Sequence, residues 1–403
     1  MPSITRRHLI AGSAAVAAGG YGSYRLVTGA PAADFESWTP EQGTWPLKRY
    51  DTANTAHNPH ASPPREAPET QELGSLPFDS ADPAYFIPLA GPDRLAVFGD
   101  RLAACADGEM TSFGESEAYF AGFSPDGRLH ATSESGTDTT LVGYDGDQEA
   151  YRYPVPGHTE GLTIGREGVY VGTLNNGIFA YEPDSGRDWV VGGETCALTD
   201  GRLYTAGGHD GTLAYRERPS PGQWVSAGPK RMWTAPSVRG DSNPPAIADG
   251  RVVVGTYGLD RSELAAFDAE TGEQLWEPKS FAEGGAADVS TPAVTARDGY
   301  VAAGIDGLNT GFVARYNLAS GDQVWRDDTG WYAYDPVLAE NTLVVAGDVR
   351  TGSQAPATTV RAYDTESGDE LWTVTFSGDG GTNLALVGER VLATAGLSLY
   401  ELV

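Results

Sequence analysis

The stretch AFDAETGEQLW (residues 266–276) sets an aromatic, an aspartate, a glycine and a tryptophan at fixed spacings. RYNLASGDQVW (315–325) and AYDTESGDELW (362–372) keep them: the glycine stands five positions after the aromatic, the tryptophan four after the glycine. Gly272, Gly321 and Gly368 recur at intervals of 49 and 47. A shorter copy, AYEPDSGRDW (180–189), puts Gly186 86 residues before Gly272, twice 43. A period of this length is that of a four-stranded propeller blade. The motif reads as the hairpin joining the two outer strands of a blade. Side chains of Asp268, Asn317 and Asp364 are expected to bond the turn backbone, and the glycines to take a positive φ that other residues resist. Trp276, Trp325 and Trp372 are expected to cover the gap between neighbouring blades.

A second hairpin precedes each copy, as in PAIADGRVVVGT (245–256), PAVTARDGYVAAGI (292–305), PVLAENTLVVAGD (336–348) and LALVGERVLATAG (384–396). With GLTIGREGVYVGT, CALTDGRLYTAGG, GFSPDGRLHATS and AYFIPLAGPDRLAVFGD, eight inner hairpins lie between about residue 84 and the end. The early copies are worn: the Tyr144-Asp145-Gly146 turn is shortened, and the fourth carries the insertion ERPSPG (217–222). The last copy stops after its third strand at LYELV, so ETQELGSLPF (69–78) is predicted to supply the missing outer one. The expected fold is therefore all-β, an eight-bladed β-propeller of four-stranded antiparallel blades closed by an N-terminal strand. Seven blades is the alternative.

Composition agrees with such a fold. The 403 residues suit two domains or one repeat array, and 52 Gly and 26 Pro supply many turns. The net charge of −28, from 55 acidic against 27 basic residues, repels nucleic acid and anionic lipid, so neither is expected as a partner. Only Lys48, Lys230 and Lys279 are lysines; an acidic, lysine-poor surface resembles that of proteins from salt-loving archaea, where salt screens self-repulsion. Cys105 and Cys196 offer neither metal spacing nor a CxxC pair. One disulfide, or two buried thiols in neighbouring blades, are both open.

Arg6-Arg7 stands directly before a mildly apolar run, residues 9–20, too short to span a bilayer. This is the pattern of a twin-arginine export signal, with Ala30-Pro31-Ala32 a candidate cleavage site. The chain divides into that signal (1–32), a lead-in segment (33–68) and the propeller (69–403). An extracellular or cell-surface location follows, with no membrane span beyond an uncleaved signal, and a monomer is expected.

The D-x-x-[ST]-G-x-x-x-W pattern resembles the repeat of the pyrroloquinoline-quinone (PQQ) type propeller family. TWPLKRYDTANTAHNPHASPP (44–64) resembles the W-P-x-x-x-x-D-x-x-x-T-x-x-N-P lead-in of the same superfamily, particularly of exported archaeal members. Together the resemblances cover residues 44–403. The family includes quinoprotein dehydrogenases and cofactor-free scaffolds such as the outer-membrane assembly lipoprotein BamB. A quinoprotein would imply PQQ with Ca²⁺, a Glu–Asn pair of metal ligands, a catalytic Asp and a disulfide of adjacent cysteines. Cys105 and Cys196 are not adjacent, and no carboxylate stands in a matching motif. There is no CxxCH, GxSxG, HExxH or P-loop, and His130, His158 and His209 fall in separate blades. No catalytic, cofactor or metal residue is assigned.

Propellers bind at the channel mouth, where loops lead into the innermost strands. Those loops read GHTEG (157–161), GGETC (192–196), GDSNP (240–244), DVSTP (288–292), YAYDP (332–336) and GGTNL (380–384). They place Glu160, Thr195, Asn243, Thr291, Asp335 and Asn383 just before the strand, with Trp331, Tyr332 and Tyr334 beside the fifth. These nine residues form the candidate ring for an unidentified protein or small ligand. The functional expectation is a non-catalytic exported scaffold without cofactor; a PQQ-dependent dehydrogenase with a divergent site is the alternative.

Overall fold

Among the described residues seven apolar clusters make up the core, and each straddles neighbouring blades instead of filling one. Val254 and Phe267 of the fifth blade, for example, pack with Ala214 and Trp233 of the fourth. Val97 and Ala103 of the first share a cluster with Leu386 and Ala393 of the eighth, which closes the ring. In such a fold each blade is stabilised by its neighbours, so the inter-blade side chains carry the architecture.

The computed structural model describes every residue except 1–34, 79–85, 100, 107–108, 115–116, 136–137, 185, 200, 208–210, 217–228, 236–240, 259–261, 282–286, 306–310, 350–356 and 378–381. The expected export signal and the ERPSPG insertion lie outside the described residues. There is no helix among those described, and so none long and apolar enough to cross a membrane. The chain forms eight antiparallel four-stranded blades, spanning residues 87–113, 117–155, 159–191, 195–235, 241–280, 287–328, 332–377 and 384–402. The eighth takes its outer strand from Thr70–Ser75, which pairs antiparallel with Ser398–Leu402 in the register Thr70↔Leu402.

The turn motif behaves as its residues dictate. Asp268 Oδ1 accepts the amides of Glu270 (3.0 Å) and Thr271 (2.8 Å), and Asn317 and Asp364 repeat the pattern. Gly272, Gly321 and Gly368 have φ of 73°, 71° and 79°. A second constraint was not legible in the motif. Each glycine lies against the indole of the preceding blade, so a Cβ on Gly321 would sit 2.7 Å from Trp276, and one on Gly368 2.7 Å from Trp325. The indole N–H then caps that same turn, Trp276 to the Leu318 carbonyl and Trp325 to Thr365, both at 2.9 Å. Trp233, hidden from the repeat by the insertion before it, does this for the fifth blade at 3.0 Å. Five blades also share a register shift in the outer pair immediately before the motif's aromatic, at Tyr144, Tyr181, Tyr215, Tyr316 and Tyr363. A bulge here turns the strand into the hairpin.

One expectation is corrected. Cys105 and Cys196 are free thiols in the first and fourth blades, not neighbouring ones, and Cys105 is only half-buried. Burial pushes the Cys196 thiol up to about 12, leaving it inert at neutral pH.

Candidate functional site

The lead-in segment builds one side of the site. Residues 35–62 run across one end of the channel and touch the innermost strand of every blade. The amides of Leu198, Ile247, Val294 and Leu338, in four successive blades, donate to the carbonyls of Thr52, Ala53, Thr55 and Ala56. Trp45 exchanges two bonds with Ala90, Phe123 N donates to the Pro46 carbonyl, and Trp38 Nε1 donates to the Ile164 carbonyl. Asn58, fully buried, donates to the Leu386 carbonyl at 2.8 Å and so reaches the eighth blade. The path folds tightly enough to place Tyr50, Asn54 and Ala56 at positive φ (72°, 54° and 49°), a costly conformation for side-chain-bearing residues.

Prolines set the opposite wall. In the fifth, sixth and seventh blades the innermost strand is split in two, on either side of Asn243-Pro244-Pro245, Thr291-Pro292 and Asp335-Pro336. Proline lacks the amide that a ladder needs, so the strand breaks there. Carbonyls beside the breaks turn to the lead-in instead. Pro292 O accepts from Arg49 Nη2 at 2.7 Å, and Asn54 Nδ2 donates to Pro245 O at 3.1 Å and Cys196 O at 2.9 Å.

Between lead-in and wall lies a cavity of about 160 Å³. It is lined by Glu160, Thr195, Asn243, Thr291 and Asp335, five of the nine candidates, each from a different blade. Its floor is Leu47, Lys48, Arg49 and Asn54. Glu160 lies within its strand, not before it, and Asn243 Nδ2 is already donated to the Val289 carbonyl. The other four candidates do not line this cavity. Asn383 Nδ2 donates to the Phe86 carbonyl at 3.0 Å; Trp331 is buried against Gly347; Tyr332 packs on Tyr334, whose hydroxyl donates to Asp348 Oδ2 at 2.6 Å. Asn383 ties the eighth blade to the first and Trp331 packs in the cluster between the sixth and seventh, whereas Tyr334 is bonded to Asp348 of its own blade.

Sequence reasoning missed Lys48, Arg49 and Asn54, because nothing in a linear motif says that the lead-in enters the channel. The signal available was a lysine and an arginine side by side in a chain with three lysines. Lys48 Nζ is 3.7 Å and Arg49 Nη1 3.8 Å from the Asp335 carboxylate. Burial lowers the Arg49 guanidinium from its ordinary value, with Asp335 and Asp51 opposing. Among the described residues, no group of three or more His, Cys, Asp or Glu could hold a metal ion.

A profile of the family described as the outer membrane protein assembly factor BamB matches residues 184–309 and 309–402, more than half of the chain. The chain belongs to that family. No curated protein matches its sequence. Among solved structures it is similar to BamB from Moraxella catarrhalis, at 17% identity and a TM-score of 0.56, over 83% of this chain and 97% of that one. It is likewise similar to the computationally designed Ika8 protein (14%, TM-score 0.62, 82% and 99% covered) and to Saccharomyces cerevisiae Sqt1 (13%, 0.58, 84% and 99%). At such identities these likenesses show the fold alone.

Proposed function

We propose that this propeller is a non-catalytic scaffold that binds a protein or small-ligand partner at its channel mouth, and that it works outside the cell. The observation that carries the reading is the plugged channel. The lead-in leaves about 160 Å³ beneath the mouth, whereas cofactor-sized ligands need about 300 Å³ or more. That space is smaller than a site for a tricyclic quinone calls for, which supports the cofactor-free reading at this mouth. Membership of a family described by an assembly factor supports a binding role over a chemical one. Adding PQQ and Ca²⁺ to the purified chain tests this, read as quinone absorbance and alcohol- or sugar-dependent dye reduction. Neither is expected; stoichiometric absorbance with turnover overturns the reading.

Location rests on Arg6-Arg7 and the apolar run behind it. Replacing both with lysine is expected to leave the chain in the cytoplasm by cell fractionation, because twin-arginine signals are read by a receptor. Unchanged export would refute that route.

A further inference from the structure

The cavity holds an imbalance that the fold does not resolve. Arg49 is 4% exposed, yet its Nε and Nη1 have no hydrogen-bond partner, and Asp335 at 3.8 Å is too distant to be one. Lys48, at 3.7 Å, is also beyond hydrogen-bond reach of Asp335. Both cations stand at the Asp335 end of the cavity, with Glu160 as the second carboxylate of its lining, so the guanidinium N–H groups, and not a net charge, are what the fold leaves unmatched. A buried guanidinium left without acceptors is costly, and the cost is relieved by an anion.

We infer that this cavity is a binding site for a small monocarboxylate, its charged end between Lys48 and Arg49. Three features select that class. The volume, near that of five water molecules, exceeds what a halide fills and admits a molecule of a few carbons. The apolar side chains of Leu47, Phe120 and Leu162 line it beside the charges, matching a short hydrocarbon body. The two cations are matched in number by two carboxylates, Asp335 in the seventh blade and Glu160 diametrically across the ring in the third, so the lining accepts one negative charge at the Lys48–Arg49 end more readily than two. A phosphate dianion or a dicarboxylate brings that second charge. The inference rests on the mouth being a binding site but on no particular protein partner.

Sodium propionate titrated into the purified full-length chain, at fixed chloride, tests it by saturation-transfer NMR, with inorganic phosphate as the comparison. Saturable contact with propionate and none with phosphate is expected. Lys48→Met, at a side chain 40% exposed and so tolerant of change, weakens binding about tenfold by removing one charge-assisted bond. Asp335→Asn, which frees both cations from their competitor, tightens it by a similar factor. No saturable contact, equal response to phosphate, or indifference to both variants overturns the site. Such a failure leaves the quinone-free reading standing, since that falls only to quinone turnover.

Discussion

At the scale of single residues, the turn glycines show how two physical constraints can hide in one conserved-looking letter of a repeat. The spacing of Gly321 from Tyr316 and Trp325 predicted its positive φ; its contact with the previous blade's Trp276 could only come from the assembled ring. The two constraints separate experimentally. Gly250 has the same φ, 72°, with nothing near its Cβ position, so Gly250→Ala carries only the left-handed strain of about 1 kcal/mol. Gly321→Ala adds overpacking against Trp276 and is expected to cost about 3 kcal/mol in chemical denaturation. Equal losses would mean that the indole contact is not part of the fold's stability. His130 makes a second case. It was unremarkable in sequence, but it is buried in the second blade, bonded to Ser124 Oγ at 2.9 Å and to the Tyr151 hydroxyl. Burial lowers it to about 4, with Asp126 opposing. Below pH 6.5 the unfolded chain takes a proton that the folded chain refuses until about pH 4, so stability falls through that window by roughly 3 kcal/mol. Desolvation raises Asp51 to about 6, which works the other way between pH 6 and its ordinary value. The clean readout is the difference between wild type and His130→Gln. The wild-type advantage at pH 7 is expected to shrink toward pH 4; a constant difference would refute the shift.

At the scale of elements, period and turn chemistry made the blades legible, including the worn ones. The inner hairpins and the closing strand at residues 70–75 could be placed because each fits a slot in the repeat. The shared bulge could not, since it follows from fitting the turn to the outer strands, not from a residue type. The lead-in was recognisable as a segment, yet its course was not. Its bonds are made by backbone carbonyls and by Asn54 and Asn58 amides to partners up to 328 positions away, and no local pattern encodes such partners. The same limit divided the candidate site. Polar residues at the innermost strands reach the cavity at the three proline splits, as Asn243, Thr291 and Asp335, and also as Glu160 and Thr195, where no proline stands. Where the chain packs against a neighbouring blade, as at Trp331 and Asn383, the same spacing gave structural residues.

At the scale of the whole molecule, charge and closure dominate. A net charge of −28 on a surface with few lysines destabilises the compact state through self-repulsion. Salt screens it, the Debye length falling to about 3 Å at 1 M. The thermal midpoint is therefore expected to rise steadily from about 0.1 M to about 2 M potassium chloride; a midpoint independent of salt would contradict the halophilic reading of the composition. Closure depends on the ring and the lead-in being one cooperative body, since residues 44–62 are bonded to the innermost strands around the channel and form the floor of the cavity. Hydrogen exchange followed by mass spectrometry measures this directly on the intact chain. Peptides from residues 44–62, and the amides of Leu198, Ile247, Val294 and Leu338 that bond to them, are predicted to exchange as slowly as the inter-blade core. Exchange of the lead-in within seconds while the blades stay protected would contradict the plugged channel and the cavity built on it.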